Sequence, residues 1–413
     1  MTFMGKAPEH SGLPIEVQSQ CGGPLIDGRR LTLNRHMDIL KRTLRKWRAY
    51  GTRKPAINIC LIIILVSAWL SRGLMLSESH GFESIAFRDI RQAAQKAHRY
   101  LSTFSADHIG LNFDAASYSY RNEYPKSSTL GNTGLAAEML GALCKAEKTF
   151  WLSDTERSNR LRKYLISKMK PDGTWSFDDF NTSNDLDTTL RIALTLLESG
   201  VCPRFFDNLI KRMEAFRCGE GFGSFSQSKL NSNHSNFGAH IEATANAMLL
   251  LKYLSKCENG RCDRLADWLT SRQSLLGDWE LYWYPSPYQG IYMVLKVVGT
   301  DGVHGRKALD FTLSSQHADG SWASSEATRI IDTTYALRTL ALFHQKGRPL
   351  KKGLSFLMDA QQASGRWPGN RVFAYYYPNT PGKESPEWWH DRRTGLFTTS
   401  LALSALSEVY ILF

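Results

Sequence analysis

The stretch Gln316-His-Ala-Asp-Gly320-Ser-Trp322 ends an amphipathic segment that begins at Leu309, and this order of residues returns along the chain. A leucine-bearing segment, a glutamine or charged residue and a Gly-x-Trp turn recur, once with glycine in place of tryptophan. The turn glycines are Gly173, Gly221, Gly277, Gly320 and Gly365. They lie 48, 56, 43 and 45 residues apart. A period of this length fits two helices with their loops, so the sequence predicts a helical repeat.

Each turn is followed by a second segment that is more apolar than the first. A helix that is apolar on all sides belongs inside a protein, whereas an amphipathic helix covers the core from outside. The predicted inner helices are Gly134–Leu143, Thr188–Leu197, Ala243–Leu254, Gly290–Val298, Thr333–Phe343 and Thr398–Tyr410. The predicted outer helices are Phe87–Phe104, Arg157–Met169, Arg204–Phe216, Arg261–Gln273, Arg306–Gln316 and Lys351–Gln362. Strict alternation of six inner and six outer helices predicts an all-α fold, a closed α6/α6 barrel over residues 86–413.

The alternation also predicts what each end of the barrel and each turn contributes. The inner helices of such a barrel share one direction, so their N-termini meet at one mouth and concentrate partial positive charge there. We expect the repeat tryptophans to be structural and to seal the turns between helices; they are Trp175, Trp279, Trp322 and Trp367.

The formal net charge of +12 is concentrated near the N-terminus, where residues 1–55 hold 11 basic and 4 acidic side chains. Residues 1–54 are predicted to form a basic, flexible tail. Residues 55–76 contain the long apolar run and are predicted to form a membrane-anchor helix, with Arg72 reaching back to the membrane surface. Basic flanks stay in the cytoplasm, which would place the barrel outside it. An anchor lying in the membrane surface would leave the barrel in the cytoplasm, and a buried core helix is a third interpretation.

Composition and cysteine spacing exclude several classes of function. The barrel region shows no helix-turn-helix pattern and no basic stripe interleaved with aromatic residues, so we expect no nucleic-acid partner. The seven cysteines have no metal-ligand spacing, so no metal site is expected. Cys257 and Cys262 either close a small loop disulfide or remain two reduced thiols.

The pattern Leu-x-x-x-Gln-x-x-x-Gly-x-Trp resembles the QW repeat of squalene–hopene cyclases and related class II terpene cyclases. The resemblance covers residues 86–413 and includes the turns at 277–288 and 365–369 and the segment 394–403. It implies the barrel of the terpene cyclase and prenyltransferase type. Protein prenyltransferase subunits and complement-type thioester domains share this barrel, but the zinc-binding Asp-x-Cys and the thioester-forming glutamine are missing from the matching turns.

The residues Asp185-Leu-Asp187-Thr188 open the second predicted inner helix. Class II cyclases carry Asp-x-Asp-Asp at this place and protonate an alkene or epoxide with the middle acid. The Asp-x-Asp-Thr-Thr variant found here is similar to that of drimenyl diphosphate synthase-like cyclases. The resemblance makes Asp187 the proton donor, Asp185 its tuning partner and Thr188 a hydrogen-bonding substitute for the third acid. A second carboxylate raises the pKa of the donor because two adjacent charges repel.

Asp187 also has a purely structural interpretation. An acid two residues before a threonine opens two other predicted inner helices, at Glu242 and Asp332. Aspartate is a favoured N-cap and its charge suits the helix dipole, so Asp187 is either the donor or a repeated cap. Asp185 has no acidic equivalent in those repeats, and the pair therefore carries the functional signal.

A carbocation cyclase also needs aromatic faces that stabilise cations without reacting with them. The expected substrate-binding residues at the mouth are Trp283, Tyr284, Tyr288, Tyr292, Tyr335, Trp389 and Phe397. The neighbouring run Tyr375–Tyr377 adds further rings. For about half of these residues an ordinary role in the core or in a loop stays open.

These observations predict a class II, protonation-initiated terpene cyclase, an isomerase acting on a linear isoprenoid such as a prenyl diphosphate or a squalene-like polyene. The alternative is a non-catalytic α6/α6 barrel, anchored to a membrane, that binds an isoprenoid, a lipid or a protein. A glycosidase using two acids within 178–187 is more remote. Mg²⁺ is implied only if the substrate is a diphosphate. A membrane, a partner protein or a second copy is expected to close the site, because full-length cyclases form it between two helical domains.

Overall fold

The computed structural model of the protein describes residues 87–104, 132–152, 154–177, 185–225, 238–375, 387–391 and 394–413. Within these ranges lie twelve α-helices: α1 (87–102), α2 (Asn132–Phe150), α3 (Thr155–Ser167), α4 (Leu186–Glu198), α5 (Asp207–Met213), α6 (Ile241–Tyr253), α7 (Arg261–Ser271), α8 (Pro287–Val298), α9 (Gly302–Ser314), α10 (Arg329–Leu342), α11 (Arg348–Asp359) and α12 (Leu396–Tyr410). The predicted tail 1–54 and anchor 55–76 lie outside the described residues and stay predictions. Among the described helices, none is both long enough and apolar enough to cross a membrane.

The even-numbered helices form a closed inner ring. Helix α2 packs on α4, α4 on α6, α6 on α8, α8 on α10, α10 on α12, and α12 returns to α2. The odd-numbered helices lie outside this ring, where α3, α7, α9 and α11 pack against their inner neighbours. The prediction of an all-α chain with alternating inner and outer helices is therefore confirmed for the described residues.

Burial follows the sequence pattern that predicted the two layers. In α12 every residue from Leu396 to Ser407 is buried, as expected for a helix surrounded by others. In α11 the buried residues are Leu350, Gly353, Leu354 and Leu357, which share one helical face. The apolar stripe at positions i, i+3, i+4 and i+7 thus places α11 on the outside.

The repeat tryptophans fix the turns between outer and inner helices. All four are fully buried, and each indole N–H donates to the carbonyl ten residues earlier, on Leu165, Leu269, Thr312 and Leu357. In three turns the tryptophan backbone N–H donates to a threonine hydroxyl near the start of the next inner helix: Thr189, Thr333 and Thr399. The tryptophans thus bond a carbonyl near the end of the outer helix and, in three turns, a threonine near the start of the inner helix. Their structural interpretation is correct.

The glutamines of the repeat link neighbouring outer helices. Each side-chain amide donates to the glycine carbonyl of its own turn and to a carbonyl of the next outer helix; Gln273 reaches His304, Gln316 reaches Pro349 and Gln361 reaches Ala93. At Gly277 φ is +107°, and a Cβ would lie 2.4 Å from the Lys307 carbonyl oxygen. Glycine is required there because the turn runs so close to α9.

Trp322→Ala should lower the free energy of unfolding by about 3–5 kcal/mol, because it leaves a cavity under the turn. Trp322→Phe keeps most of the apolar volume but removes the indole donor to the Thr312 carbonyl, which keeps only the long bond from Ser315, and this should cost about 1–2 kcal/mol. Denaturation in guanidinium, followed by circular dichroism, measures both losses. The control is Leu275→Ser, at a side chain that is 95% exposed, with an expected change below about 0.5 kcal/mol. Wild-type stability of the alanine variant would contradict this role.

Two short antiparallel strand pairs were not predicted. Strands β1 (Arg217–Cys218) and β2 (Gly221–Phe222) pair beside the second repeat turn, and β3 (Arg371–Tyr375) pairs with β4 (Glu387–His390) before α12. The predicted outer helix Arg204–Phe216 is shorter than expected, because 3-10 turns flank α5 on both sides. Strands this short carry no clear alternation of apolar residues, so the sequence indicated only loops.

A disulfide joins Cys257 and Cys262, whose Cα atoms are 5.1 Å apart. It links the segment after α6 to the first turn of α7. Of the two interpretations left open by the sequence, the structure has the disulfide.

Candidate active site

Asp185 is the N-cap of α4, the inner helix that carries the acidic pair. Its Oδ1 accepts the backbone N–H of Asp187 at 3.1 Å, and its Oδ2 accepts that of Thr188 at 3.3 Å. The Thr188 hydroxyl donates to the same Oδ2. The cap is therefore Asp185, and the interpretation of Asp187 as the N-cap of this helix is wrong.

Asp187 is 4% exposed and faces side chains rather than backbone. Its Oδ2 accepts a hydrogen bond of 2.5 Å from the Tyr284 hydroxyl, and its Oδ1 accepts one of 3.3 Å from Nδ2 of Asn246. Tyr284 comes from the segment before α8 and Asn246 from α6, so three parts of the inner ring meet at this carboxyl group. Tertiary packing, rather than the local turn, sets its environment.

The two equivalent acids of the repeat behave differently. Glu242 accepts backbone N–H groups of Tyr282 and Trp283. Asp332 accepts the backbone N–H and hydroxyl of Ser324. Both therefore hold a turn, whereas both oxygens of Asp187 bind side-chain donors. Among these three acids only Asp187 has the surroundings expected of a reactive group.

Burial and mutual repulsion keep protons on this pair. Burial raises the pKa of Asp187 above its usual value, although Arg191 and the hydrogen bonds from Tyr284 and Asn246 act in the opposite direction. Burial, together with the charge of Asp187, raises the pKa of Asp185 to about 7. A carboxylic acid in such a pair is available to donate a proton near neutral pH.

A partly buried cation, with a side chain that is 15% exposed, lies one helical turn after Asp187. Arg191 hydrogen-bonds the Tyr284 hydroxyl through Nη1 and Glu138 of α2 through Nη2. Burial lowers the pKa of Arg191, but Tyr284, Glu138 and Asp187 raise it well above its usual range, so the guanidinium stays charged. The Tyr284 hydroxyl accepts from Arg191 and is thereby oriented to donate to Asp187.

Aromatic rings surround this group. The Tyr284 ring lies 5.3 Å from that of Phe373, and Phe373 also contacts Phe397 at 5.5 Å and Phe177 at 5.3 Å. The Arg191 guanidinium lies over the rings of Tyr284 and Phe397, at 5.3 and 5.6 Å. The structure thus brings the predicted Tyr284 and Phe397 together, and it adds two phenylalanines that the sequence did not single out.

Two other predicted aromatic residues lie elsewhere, and for a third the structure describes only the backbone, which pairs with Phe373. The indole N–H of Trp283 donates to Ser224, and its ring packs on Tyr282 beside the mouth. The Tyr288 hydroxyl donates to Ser315 and its ring packs on Phe311, so this residue faces the outer helix α9. We therefore no longer expect Tyr288 to contact a substrate. Trp389 lies in β4, and its side chain is outside the described residues.

The interior of the inner ring is polar. A cavity of about 110 Å³ there is lined by charged and hydrogen-bonding side chains, among them Glu138, Lys145, Arg191, Glu198, Asn246, Tyr292, Lys296, Tyr335 and Arg338. Sites for substrate-sized molecules usually measure about 300–1,000 Å³ and are mostly apolar. The predicted substrate contacts Tyr292 and Tyr335 line this cavity together with Arg191 and Asn246 of the acidic group, and their contact with a substrate stays a prediction.

Comparison with known proteins supports the fold. No family model matches the chain. A segment of 139 residues is 30% identical to an ent-copalyl diphosphate synthase of Streptomyces sp. (strain KO-3988). The matched segment makes up 32% of this chain and about a quarter (24%) of that protein.

Two solved structures resemble the barrel, the first over most of the chain and the second over two thirds of it. A structure of the type II terpene cyclase MstE from Scytonema, in complex with geranylgeranyl dihydroxybenzoate as substrate, matches with a TM-score of 0.61 at 16% identity. The match covers 80% of this chain and 100% of that one. A protein from Actinoplanes matches with a TM-score of 0.52 over 66% of this chain and 90% of its own, also at 16% identity. The chain therefore has the fold of a type II terpene cyclase.

Proposed function

We propose that the protein is a class II, protonation-initiated terpene cyclase that acts on a linear isoprenoid, such as a prenyl diphosphate or a squalene-like polyene. The observation that carries this proposal is Asp187, a buried acid at the start of an inner helix that is paired with Asp185 and hydrogen-bonded by Tyr284, whose ring packs on Phe373. The likeness to MstE supports the barrel in which such an acid would act. The sequence match to a copalyl diphosphate synthase supports the choice of substrate class.

In the proposed first step, the terminal alkene or epoxide of the substrate takes the proton of Asp187. The electron pair of the alkene, or of the epoxide oxygen, forms the new bond to hydrogen, and the O–H electrons stay on the carboxylate. The Tyr284 hydroxyl and the Asn246 amide then donate to that carboxylate, with Arg191 next to the tyrosine. These donors stabilise the charge that develops on Asp187.

The carbocation formed in this step needs a lining that does not react with it. Phe177, Phe373 and Phe397 present rings close to Tyr284 and offer π faces without a nucleophilic atom. These four rings are the part of the described mouth that we assign to the substrate.

Magnesium is implied for a diphosphate substrate, but the described acids do not fit a magnesium site. No group of three or more histidine, cysteine, aspartate or glutamate side chains in the described ranges is placed to hold a metal ion. Both oxygens of Asp185 already accept hydrogen bonds from the first turn of α4.

The full-length protein should convert at least one of farnesyl diphosphate, geranylgeranyl diphosphate and squalene to a cyclic product. Each is incubated with the protein, with and without Mg²⁺, and products are identified by gas chromatography with mass spectrometry after removal of any diphosphate. Cyclic product above a heat-inactivated control supports the proposal. Tight binding of an isoprenoid without any product would instead indicate the non-catalytic binding barrel, and would overturn the proposed activity.

A further inference from the structure

Glu242, in the first turn of α6, is a buried acid to which the mechanism above gives no role. It is 0% exposed. Its Oε1 accepts the backbone N–H of Tyr282 at 3.0 Å and that of Trp283 at 2.8 Å. Its Oε2 is buried and has no hydrogen-bond partner. A buried carboxylate oxygen without a partner destabilises the fold, so a role at the start of the helix does not by itself explain this acid.

The turn that Glu242 holds is the one that carries Tyr284. The residue after Trp283 donates the 2.5 Å hydrogen bond to Asp187, so a shift of the 282–283 backbone would move that donor directly. The side chain of Trp283 is fixed separately, by its bond to Ser224. Glu242 is thus the acid that joins the start of α6 to the group around Asp187.

Asp332 shows that this link is particular to Glu242. It occupies the same place in its own repeat, is also fully buried, and also has one oxygen, Oδ1, without a partner. Its other oxygen accepts from Ser324 and Thr328, in a turn whose residues make no described contact with Asp187. Asp332 is therefore a matched acid with a similar local role that makes no described contact with Asp187 or Tyr284; it interacts instead with Ser286 at the start of α8.

We propose that Glu242 is a positioning residue for proton donation: it holds the turn that carries Tyr284, and its negative charge favours the protonated form of Asp187. The inference rests on the proposed function, because it concerns the proton of the same acid. Burial, with the charge of Asp187 as the next cause, raises the pKa of Glu242 to about 7. The interaction is reciprocal, so ionised Glu242 must raise the pKa of Asp187 as well.

Asp187 has several other titratable neighbours, and among them Asp185 also changes its charge near pH 7. Asp185 on α4 and Glu138 on α2 are acids, Arg191 on α4 is a permanent cation, and the buried Tyr284 has a pKa raised well above its usual value. Tyr335 of α10 adds a second neutral phenol beside Arg191, with a pKa raised by burial. Glu242 is therefore the acid on α6 whose charge changes near pH 7 while Arg191 and the two phenols keep theirs.

Glu242→Gln removes the negative charge but keeps the acceptor that binds the backbone of Tyr282 and Trp283. The amide oxygen still accepts from both backbone N–H groups, and glutamine resembles the protonated acid. At about pH 6, where Glu242 is mostly protonated, kcat should stay within about twofold of wild type. At about pH 8 it should be roughly tenfold lower, because Asp187 then loses its proton about one pH unit earlier. Glu242→Ala, which also releases the turn, should lower kcat at both pH values.

Asp332→Asn is the matched control and should leave the pH profile of kcat unchanged. A Glu242→Gln profile that coincides with wild type across this range would overturn the inference. So would a loss of the same factor at every pH, because that pattern indicates a purely structural role.

A second measurement separates this inference from the proposed function. Carboxyl carbon NMR of protein labelled at aspartate, with Asp187→Asn used to assign the signal, follows the protonation of Asp187 without any substrate. A titration midpoint about one pH unit lower in Glu242→Gln supports the inference even if no isoprenoid is converted. An unchanged midpoint overturns it, whereas failure to convert any of the three isoprenoids counts against the proposed function alone.

Discussion

Asp187→Asn should abolish cyclisation, lowering turnover by at least about 10³-fold, while the barrel stays folded. Asparagine has nearly the same shape and accepts the Tyr284 hydrogen bond through its amide oxygen, but it has no acidic proton to donate. Burial already raises the pKa of Asp187, so ionisation of this group works against folding as the pH rises. The neutral amide should therefore leave the melting temperature near pH 7 unchanged or higher. Product analysis and thermal unfolding measure the two effects.

Asp185→Asn is the matched variant for this experiment. Asparagine is as effective an N-cap as aspartate, so α4 should keep its cap and its fold. The loss of the neighbouring charge lowers the pKa of Asp187, and we expect reduced but measurable turnover, with the larger deficit at high pH. If Asp187→Asn turns over substrate at the wild-type rate, Asp187 is not the proton donor.

Arg338→Met should lower the free energy of unfolding at pH 7 by up to about 3 kcal/mol, because it removes a cation that bonds both oxygens of the partly buried Glu408. Arg338 is buried and donates to Glu408 at 3.0 and 2.9 Å and to the Tyr292 hydroxyl at 2.8 Å. Its guanidinium also lies 4.0 Å from the centre of the Tyr292 ring. Lys145 would be the remaining cation bonded to Glu408 among the described residues.

The pH dependence of this loss gives a sharper check. Burial would raise the pKa of Glu408, but Arg338 and Lys145 hold it far below its usual range, so the wild-type pair contributes stability above the unfolded pKa. Without Arg338 the pKa of Glu408 should rise, and the variant regains stability as falling pH protonates it. The difference between variant and wild type should therefore narrow as the pH falls below about 4.5, where the wild type loses the contribution of its ionised Glu408.

An exposed ion pair provides the control for the arginine experiment. Arg160 and Glu156 pair on α3 with both side chains more than half exposed. Arg160→Met should change the free energy of unfolding by less than about 1 kcal/mol, because solvent screens exposed pairs. Urea denaturation at several pH values measures all variants, and an equal loss at both arginines would contradict the role assigned to the barrel interior.

The fold was predictable from the sequence because its signal is repeated. The Gln316 to Trp322 pattern recurs with a nearly constant period, and each copy independently indicates an outer helix, a turn and an inner helix. Errors were confined to places without that pattern, such as the short α5 and the pairing of β3 with β4. Neither has an apolar period long enough to predict its structure.

The candidate site was predictable only in part, because its members come from different repeats. The sequence singled out Asp185 and Asp187 as a pair, but local spacing could not show which one caps the helix and which one faces the interior. Arg191 follows Asp187 by four residues, and this spacing in the sequence already indicates that the two side chains share one face of the helix. Asn246 and Glu138 have no such signal, because their contacts depend on how α2, α4 and α6 are aligned in the ring.

The bond between Gln361 and Ala93 has a consequence for how the barrel forms. It joins the last outer helix to the first, and Phe87 packs against Tyr410 and Phe413 close by. Because these contacts join residues 268 to 326 positions apart in sequence, we expect closure to be a slow step of folding. During synthesis one side of α1 and α2 stays uncovered until α12 has been made, and we expect the nascent chain to be prone to aggregation in this interval.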